Sequence, residues 1–316
     1  MEYRRLGRSG VRVSEVGLGG WLTHGRTISD DTTASIVRRA FDLGVSFFDT
    51  ADVYNRGEAE ISLGKAVKGI RREDLFVATK CFWPMSDGVN DRGLSRKHIV
   101  ESVNASLKRL QMDYVDLMQF HRYDPDTPME EMVRAIDDLV RQGKVHYWGV
   151  SVWSADQIQD IVRTSREWLC TLPVSNQPPY NMFARDIEAD VIPTSEKLGL
   201  GQVVFSPLAQ GILTGKYKPG QGAPAGSRGA DETSNQFMAN LMRDEVLSKV
   251  EQLAPLAAQV DLTLGQFALA WCLRQPNVSS VIVGATRMEQ LEENVGAAGR
   301  EVPAEIWTEV DRILAS

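Results

Sequence analysis

Cysteine, histidine, long apolar runs and excess basic charge are what this chain has least of. Three cysteines, Cys81, Cys170 and Cys272, stand far apart in 316 residues, leaving neither a disulfide framework nor paired metal-ligand spacing and fitting a reducing cytoplasm. Among the four histidines, His24 and His146 have no ligand-spaced partner, so no metal is expected. No run approaches the ~18 apolar residues of a spanning helix, and Met1 to Gly7 has no apolar leader core. A soluble, cytoplasmic, unexported protein without membrane insertion is expected. Acidic residues outnumber basic ones by 42 to 35, for a formal net charge of −7. That balance argues against nucleic acid or an anionic membrane as the main partner, because counterion release needs a basic surface, but it leaves room for a local phosphate pocket. Oligomeric state is left open.

What is present is a rhythm. Short β-rich runs alternate with amphipathic stretches, the habit of parallel strands joined by helical crossovers. Candidate strands are Val13 to Gly19, Val45 to Asp49, Leu75 to Lys80, Tyr114 to His121, Val145 to Ser151, Val174 to Gln177, Gln202 to Ser206 and Val278 to Val283. Helices are expected at Asp30 to Leu43, Glu58 to Val67, Ser95 to Leu110, Pro128 to Gln142, Ala155 to Trp168, Asp186 to Leu198, Arg243 to Gln275 in two pieces, and Met288 to Ala297, with a further helix at the C-terminus. Ser95 and Ser154 open helices as capping residues, the second with Gln157 completing a capping box, and Gly44 and Gly199 sit at helix ends. Eight strands each followed by a helix predict an α/β fold, a single (β/α)8 TIM barrel spanning 1–316 as one domain.

Two additions extend the minimal barrel. Glu2 to Glu15 reads as a β-hairpin turning at Leu6 to Gly10, placed to plug the N-terminal mouth. Pro207 to Asn240, with six glycines and three prolines, reads as a long loop after the seventh barrel strand.

Barrel enzymes act at the C-terminal ends of their strands, and three neighbouring strands here end in chemistry-bearing residues. The second ends at Asp49, with Tyr54 in the loop that follows; the third ends at Lys80 and the fourth at His121. A nearby cation stabilises a phenolate and is expected to lower the phenol's pKa, so that Tyr54 can serve as a proton donor, with Lys80 supplying the charge, Asp49 holding Lys80 in place and His121 positioning a substrate carbonyl. No side chain delivers a hydride, which points to a nicotinamide. Each residue alone is more often structural; together, at successive strand ends, they point to a site. Trp21, Trp83 and Trp153 follow strand ends and are candidate pocket walls, whereas Trp148, Trp168, Trp271 and Trp307 read as packing residues. Glu130, Glu131, Asp137 and Asp138 read as a solvated helix face, and Cys81 as packing.

Gly284-Ala285-Thr286-Arg287 ends the last strand just before a helix, where backbone N–H groups favour a phosphate. Arg287 suits a ribose 2′-phosphate and favours NADPH over NADH. Gly17-Leu18-Gly19-Gly20 lacks the third spaced glycine of a dinucleotide fingerprint, so a Rossmann domain is not indicated.

Phe48-Asp49-Thr50-Ala51-x-x-Tyr54, Thr79-Lys80 and His121, together with Arg92 to Ile99, Ser206-Pro207-Leu208-Ala209, Gly211 to Tyr217 and Ala270 to Arg274, resemble the aldo-keto reductase superfamily over essentially the whole chain. The resemblance is strongest to the potassium-channel β-subunit branch and its bacterial relatives. It implies a catalytic tetrad of Asp49, Tyr54, Lys80 and His121, with Asp49 also beside the cofactor. It implies that Ser151 and Gln177 hold the nicotinamide carboxamide, that Phe205 stacks on the ring, and that Gly20 and Trp21 line the first loop. Ser206, Leu208 and Gln210 then match the pyrophosphate loop, and Lys216 and Arg228 the segment closing over the cofactor. Gly284, Thr286, Arg287, Gln290, Glu293 and Asn294 match the adenosine end. Tyr54 and His121, with Trp21, Trp83 and Trp153 as the candidate walls, are expected to face the carbonyl substrate. Val152 departs from the asparagine or arginine common in the family, and Phe205 from the tyrosine or tryptophan that often stacks.

An NADPH-dependent aldehyde or ketone reductase is the function this implies. Two alternatives stand beside it. One is a nicotinamide-sensing regulatory subunit of a channel-type complex; with the hairpin beginning at Met1, no N-terminal tail is expected to act on a channel, and His121 stands where channel β-subunits tend to have asparagine. The other is a Schiff-base aldolase working through Lys80, which pairing with Asp49 would leave protonated and poorly nucleophilic.

Overall fold

Val, Ile and Phe cluster in short runs that are buried on both faces, as strands of a parallel sheet covered by helices must be. The structure, a computed structural model, describes residues 1–231, 235, 238 and 240–315. Two short strands, β1 (Tyr3–Arg5) and β2 (Arg12–Ser14), form an antiparallel hairpin. Eight more follow: β3 (Val16–Gly19), β4 (Phe47–Asp49), β5 (Phe76–Cys81), β6 (Val115–Phe120), β7 (Val145–Val150), β8 (Ser175–Asn176), β9 (Gly201–Phe205) and β10 (Val278–Val283). They close in the order β10-β3-β4-β5-β6-β7-β8-β9, with every neighbouring pair parallel. This is the expected (β/α)8 TIM barrel.

Its helices are α1 (Asp30–Asp42), α2 (Glu58–Ala66), α3 (Arg96–Leu110), α4 (Met129–Arg141), α5 (Ala155–Glu167), α6 (Val191–Leu198), α7 (Asp244–Ala258), α8 (Leu264–Leu273), α9 (Met288–Val295) and the C-terminal α10 (Ala304–Ala315). Among the described residues, no helix is long and apolar enough to cross a membrane. The expected caps form: Ser95 accepts from the His98 N–H, Ser154 and Gln157 make a reciprocal box, and Gly199 ends α6 in the left-handed region.

The hairpin plugs the lower mouth. Leu6 and Val13 are fully buried beside Phe47, Phe76, Leu117 and Val203, and Arg4 donates to the carbonyls of Leu273 and Val278.

Several expectations need correction. The single strand expected at Val13 to Gly19 is two, because the chain turns at Ser14 and Glu15 from hairpin to barrel; the Glu15 carboxylate pairs with Arg4 and accepts from Gly299 N. The helix expected from Asp186 is a 3-10 turn, Asp186–Glu188, followed by α6. Pro193 explains the break, since it is tolerated in a helix's first turn but not in its interior. Asp137 is buried rather than solvated, accepting from Thr171 N and Oγ1 at 2.8 and 2.7 Å. Trp168, expected to pack, is 48% exposed under the Arg134 guanidinium.

Of the loop expected at Pro207 to Asn240, residues 232–234, 236, 237 and 239 lie outside those described. The described part holds two 3-10 turns, Ala209–Thr214 and Arg228–Ala230. Arg228 Nη1 donates to Gln210 Oε1, and Gly229 N donates to the Tyr217 hydroxyl, so the two turns are tied together.

Candidate active site

The upper mouth opens into a cavity of about 1190 Å³. Its size exceeds the several hundred Å³ that one small ligand needs. Every sequence-predicted site residue lines it except Lys80, which lies fully buried, and Trp153. Trp153 was expected as a wall; its ring instead packs edge-on against Tyr123 at 5.1 Å and is 2% exposed. Trp21 and Trp83 do line the cavity.

Adjacent strands β4, β5 and β6 bring the polar group together. Lys80 Nζ donates to Asp49 Oδ2 at 2.7 Å, to the Thr50 carbonyl at 2.7 Å and to the Tyr54 hydroxyl at 3.2 Å. An ammonium has three N–H donors, and all three are engaged. Burial opposes its charge, but Asp49 and Tyr54 outweigh that and hold its pKa above the ordinary lysine value. A pinned cation of this kind is a poor Schiff-base nucleophile. Because Lys80 occupies a lone pair of the Tyr54 oxygen, the phenol's own proton is left for another acceptor. Burial dominates the Tyr54 pKa and pushes it above the usual value, with Lys80 pulling the other way; the expectation of a net lowering is corrected. Tyr54 is therefore a protonated phenol at neutral pH.

His121 sits across from Tyr54, ring centroids 5.8 Å apart. Burial first, then the charges of Lys80 and Arg122, hold its pKa well below the ordinary histidine value, so the imidazole is neutral. Its Nδ1 is buried with no hydrogen-bond partner among the described residues. Gln177 Nε2 braces the other oxygen of Asp49 at 2.8 Å, and the Ser151 hydroxyl donates to the Gln177 carbonyl. The set can protonate an oxygen held between a phenol and a neutral imidazole.

The far side of the cavity is built from backbone and cations. Ser206 and Gln210 have φ of 54° and 60°, joined by a Gln210 Nε2 to Ser206 Oγ bond of 2.6 Å. Phe205 and Leu208 line this side, and Lys216 reaches it near Gly211. Helix α9 starts at Met288 with no side-chain cap, so its first N–H groups are available to an anion. Arg287 is exposed beside it without an ion pair among the described residues. Thr286 N and Oγ1 both donate to Gln290 Oε1, and Glu293 accepts from Thr263. Gly284, Glu293 and Asn294 complete this end. Gly20 donates its N–H to the Asp49 carbonyl, and a Cβ there would meet His24 Nδ1 at 2.8 Å. A cavity of this size, with uncapped helix N–H groups and cations on one side and the phenol on the other, has room and donors for a dinucleotide phosphate.

Among the described residues, ten non-glycine residues have positive φ, and seven of them, Leu22, Asn55, Arg56, Val152, Ser206, Ala209 and Gln210, are in loops at this mouth. Val152, at φ 58° and 40% exposed, is β-branched and costs on the order of 1–2 kcal/mol there; an asparagine would be less strained. Sequence reading missed His24, Asn55 and Arg122, which also line the cavity. Only Arg122 carried a signal, as the residue directly after a strand-end histidine.

The Aldo/keto reductase family model matches residues 15–315. A probable voltage-gated potassium channel subunit beta of Arabidopsis thaliana is 46% identical over 94% of this chain and 91% of its own length. Its counterpart from Oryza sativa subsp. japonica is 45% identical over the same shares. A putative voltage-gated potassium channel subunit beta of Schizosaccharomyces pombe is 43% identical over 99% of this chain and 93% of its own. With the barrel, the strand-end group and these matches together, the chain belongs to the aldo/keto reductase family.

Proposed function

We propose that the protein is an NADPH-dependent oxidoreductase that reduces aldehydes or ketones to alcohols, with Tyr54 as the general acid. Family membership supports an oxidoreductase; the observation that carries the finer reading is the triply bonded Lys80 holding Asp49 and Tyr54 together opposite a neutral His121. A bound nicotinamide would supply the hydride. Ser151 and Gln177 would hold its carboxamide, Phe205 its ring face, the Ser206 to Gln210 turn with Lys216 and Arg228 its pyrophosphate, and Arg287 its 2′-phosphate. Gly20 and Trp21 would line the first loop beside it, and Gly284, Thr286, Gln290, Glu293 and Asn294 the adenosine. The substrate oxygen would lie between Tyr54 and His121, with Trp21 and Trp83 as walls. As charge develops on that oxygen, His121 donates a hydrogen bond and Tyr54 gives up its proton. The ammonium of Lys80 then stabilises the phenolate left behind, and Asp49 keeps that ammonium in place.

Purified protein should consume NADPH with methylglyoxal or 4-nitrobenzaldehyde. Tyr54→Phe should lower kcat by about 10²–10⁴-fold while NADPH still binds; turnover equal to wild type would refute the mechanism. The names of the three relatives favour a second reading, a nicotinamide-sensing subunit of a channel complex. Negligible turnover across an aldehyde panel, together with copurification of a membrane channel, would establish that reading instead.

A further inference from the structure

Arg122 follows β6 directly beside His121 and is half-buried in the cavity wall. Buried charges are normally paired, and this one has no carboxylate partner among the described residues. Its Nη1 donates to the His121 carbonyl at 2.5 Å and its guanidinium lies 5.7 Å from the Trp83 ring centre. The guanidinium keeps further N–H donors beyond that one bond.

The cofactor does not explain this cation. In the closed order of eight strands, β6 is four places from β10 in either direction, so Arg122 stands diametrically across the mouth from Arg287 and the start of α9. The Lys216 and Arg228 cations belong to the loop after β9, three strands from β6. Arg122 is instead on the same strand end as His121, within reach of whatever molecule places its oxygen between His121 and Tyr54. In a protein of net charge −7, a half-buried cation at that position without a carboxylate partner among the described residues selects for an anion.

We propose that Arg122 is a specificity-determining residue, and that the carbonyl substrates preferred by this site are short molecules bearing an oxyanion, a carboxylate or a phosphate, a few bonds from the reacting carbon. A guanidinium offers such a group two parallel N–H donors, while the Trp83 face shields the pair from water. The proposal deepens the reductase reading and rests on it for taking the anion as part of a substrate.

Two matched pairs test it: succinic semialdehyde against butanal, and glycolaldehyde phosphate against glycolaldehyde. With NADPH saturating, KM should be lower for the anionic member of at least one pair by about tenfold or more, and which pair responds separates carboxylate from phosphate. Arg122→Gln should bring that ratio close to one, and Arg122→Lys, which keeps the charge but loses the fork, should restore part of it. Calorimetric titration of the NADP⁺-loaded protein with succinate and with inorganic phosphate gives a readout independent of turnover. At least one should bind wild type and fail to bind an Arg122→Gln variant of unchanged Tm. Equal KM within both pairs, or anion binding indifferent to Arg122, overturns the proposal. Absence of turnover with every aldehyde, while an anion still binds through Arg122, would remove the reductase reading and leave the anion site standing.

Discussion

Burial of Asp52 raises its pKa from 3.8 to about 7, against the opposing hydrogen bonds from Ser102 and Val53. The unfolded chain releases this proton near the ordinary carboxylate value, the folded chain only near neutrality. Stability from this group is thus complete below the unfolded value and is lost as pH rises towards about 7. His24, pulled down to about 4 by burial, works in the other direction: its contribution is present above the ordinary 6.5 and is lost as pH falls through 6.5 to 4. The sum of the two hides each, but a variant does not. Asp52→Asn should gain in Tm relative to wild type between about pH 4 and about pH 7, measured by scanning calorimetry; a difference constant with pH would show that Asp52 ionises normally. At this scale the sequence was informative where residues act as a series. Asp49, Lys80 and His121 end successive strands, so topology alone brought them together. Arg122 carried only the signal of following a strand-end histidine, because its meaning lies in the lack of a carboxylate partner among the described residues, and absence of a neighbour is a property of three dimensions. The Tyr54 pKa was misjudged for the same reason: a nearby cation could be inferred, but full burial could not.

The loop after β9 shows what a segment without periodicity can still build. Its two described 3-10 turns close on each other through Arg228 and Gln210, the second turn is also fastened to Tyr217 through Gly229 N, and both turns line the cavity. On the proposed function, Arg228 would trade its internal bond for a bond to a cofactor phosphate. Arg228→Ala should weaken NADPH binding by about tenfold, followed by fluorescence titration, and should raise proteolysis of the loop in the apo protein. An unaltered Kd would show that the loop takes no part in holding the cofactor. Glycine and proline content revealed the loop's existence, while its internal fastening depended on Arg228 and Gln210, eighteen residues apart, which no local pattern links. Trp153 failed as a predicted wall because following a strand end does not fix which way a side chain turns; its ring went under Tyr123. Helix α6 started late because Pro193 governs where a helix can begin, a constraint that was visible in the sequence and outweighed by hydrophobic rhythm.

Across the whole molecule, the barrel was legible because eight strands and eight following helices leave few other closed arrangements. The plug was legible too, and its energetic weight can be measured. Leu6 is fully buried among the lowest layer of barrel side chains, so Leu6→Ala should cost about 2–5 kcal/mol in urea unfolding and leave the KM of the folded enzyme for aldehydes unchanged. A cost below about 1 kcal/mol would mean that the hairpin is only draped over the mouth. That lower end is made of ladders, caps and filled space, whereas among the described residues seven of the ten non-glycine positions with positive φ crowd the upper loops. The two ends can therefore be altered separately. Robustness can be engineered from below without touching selectivity, and selectivity reworked from above by relaxing or exchanging residues that already sit away from their conformational minima.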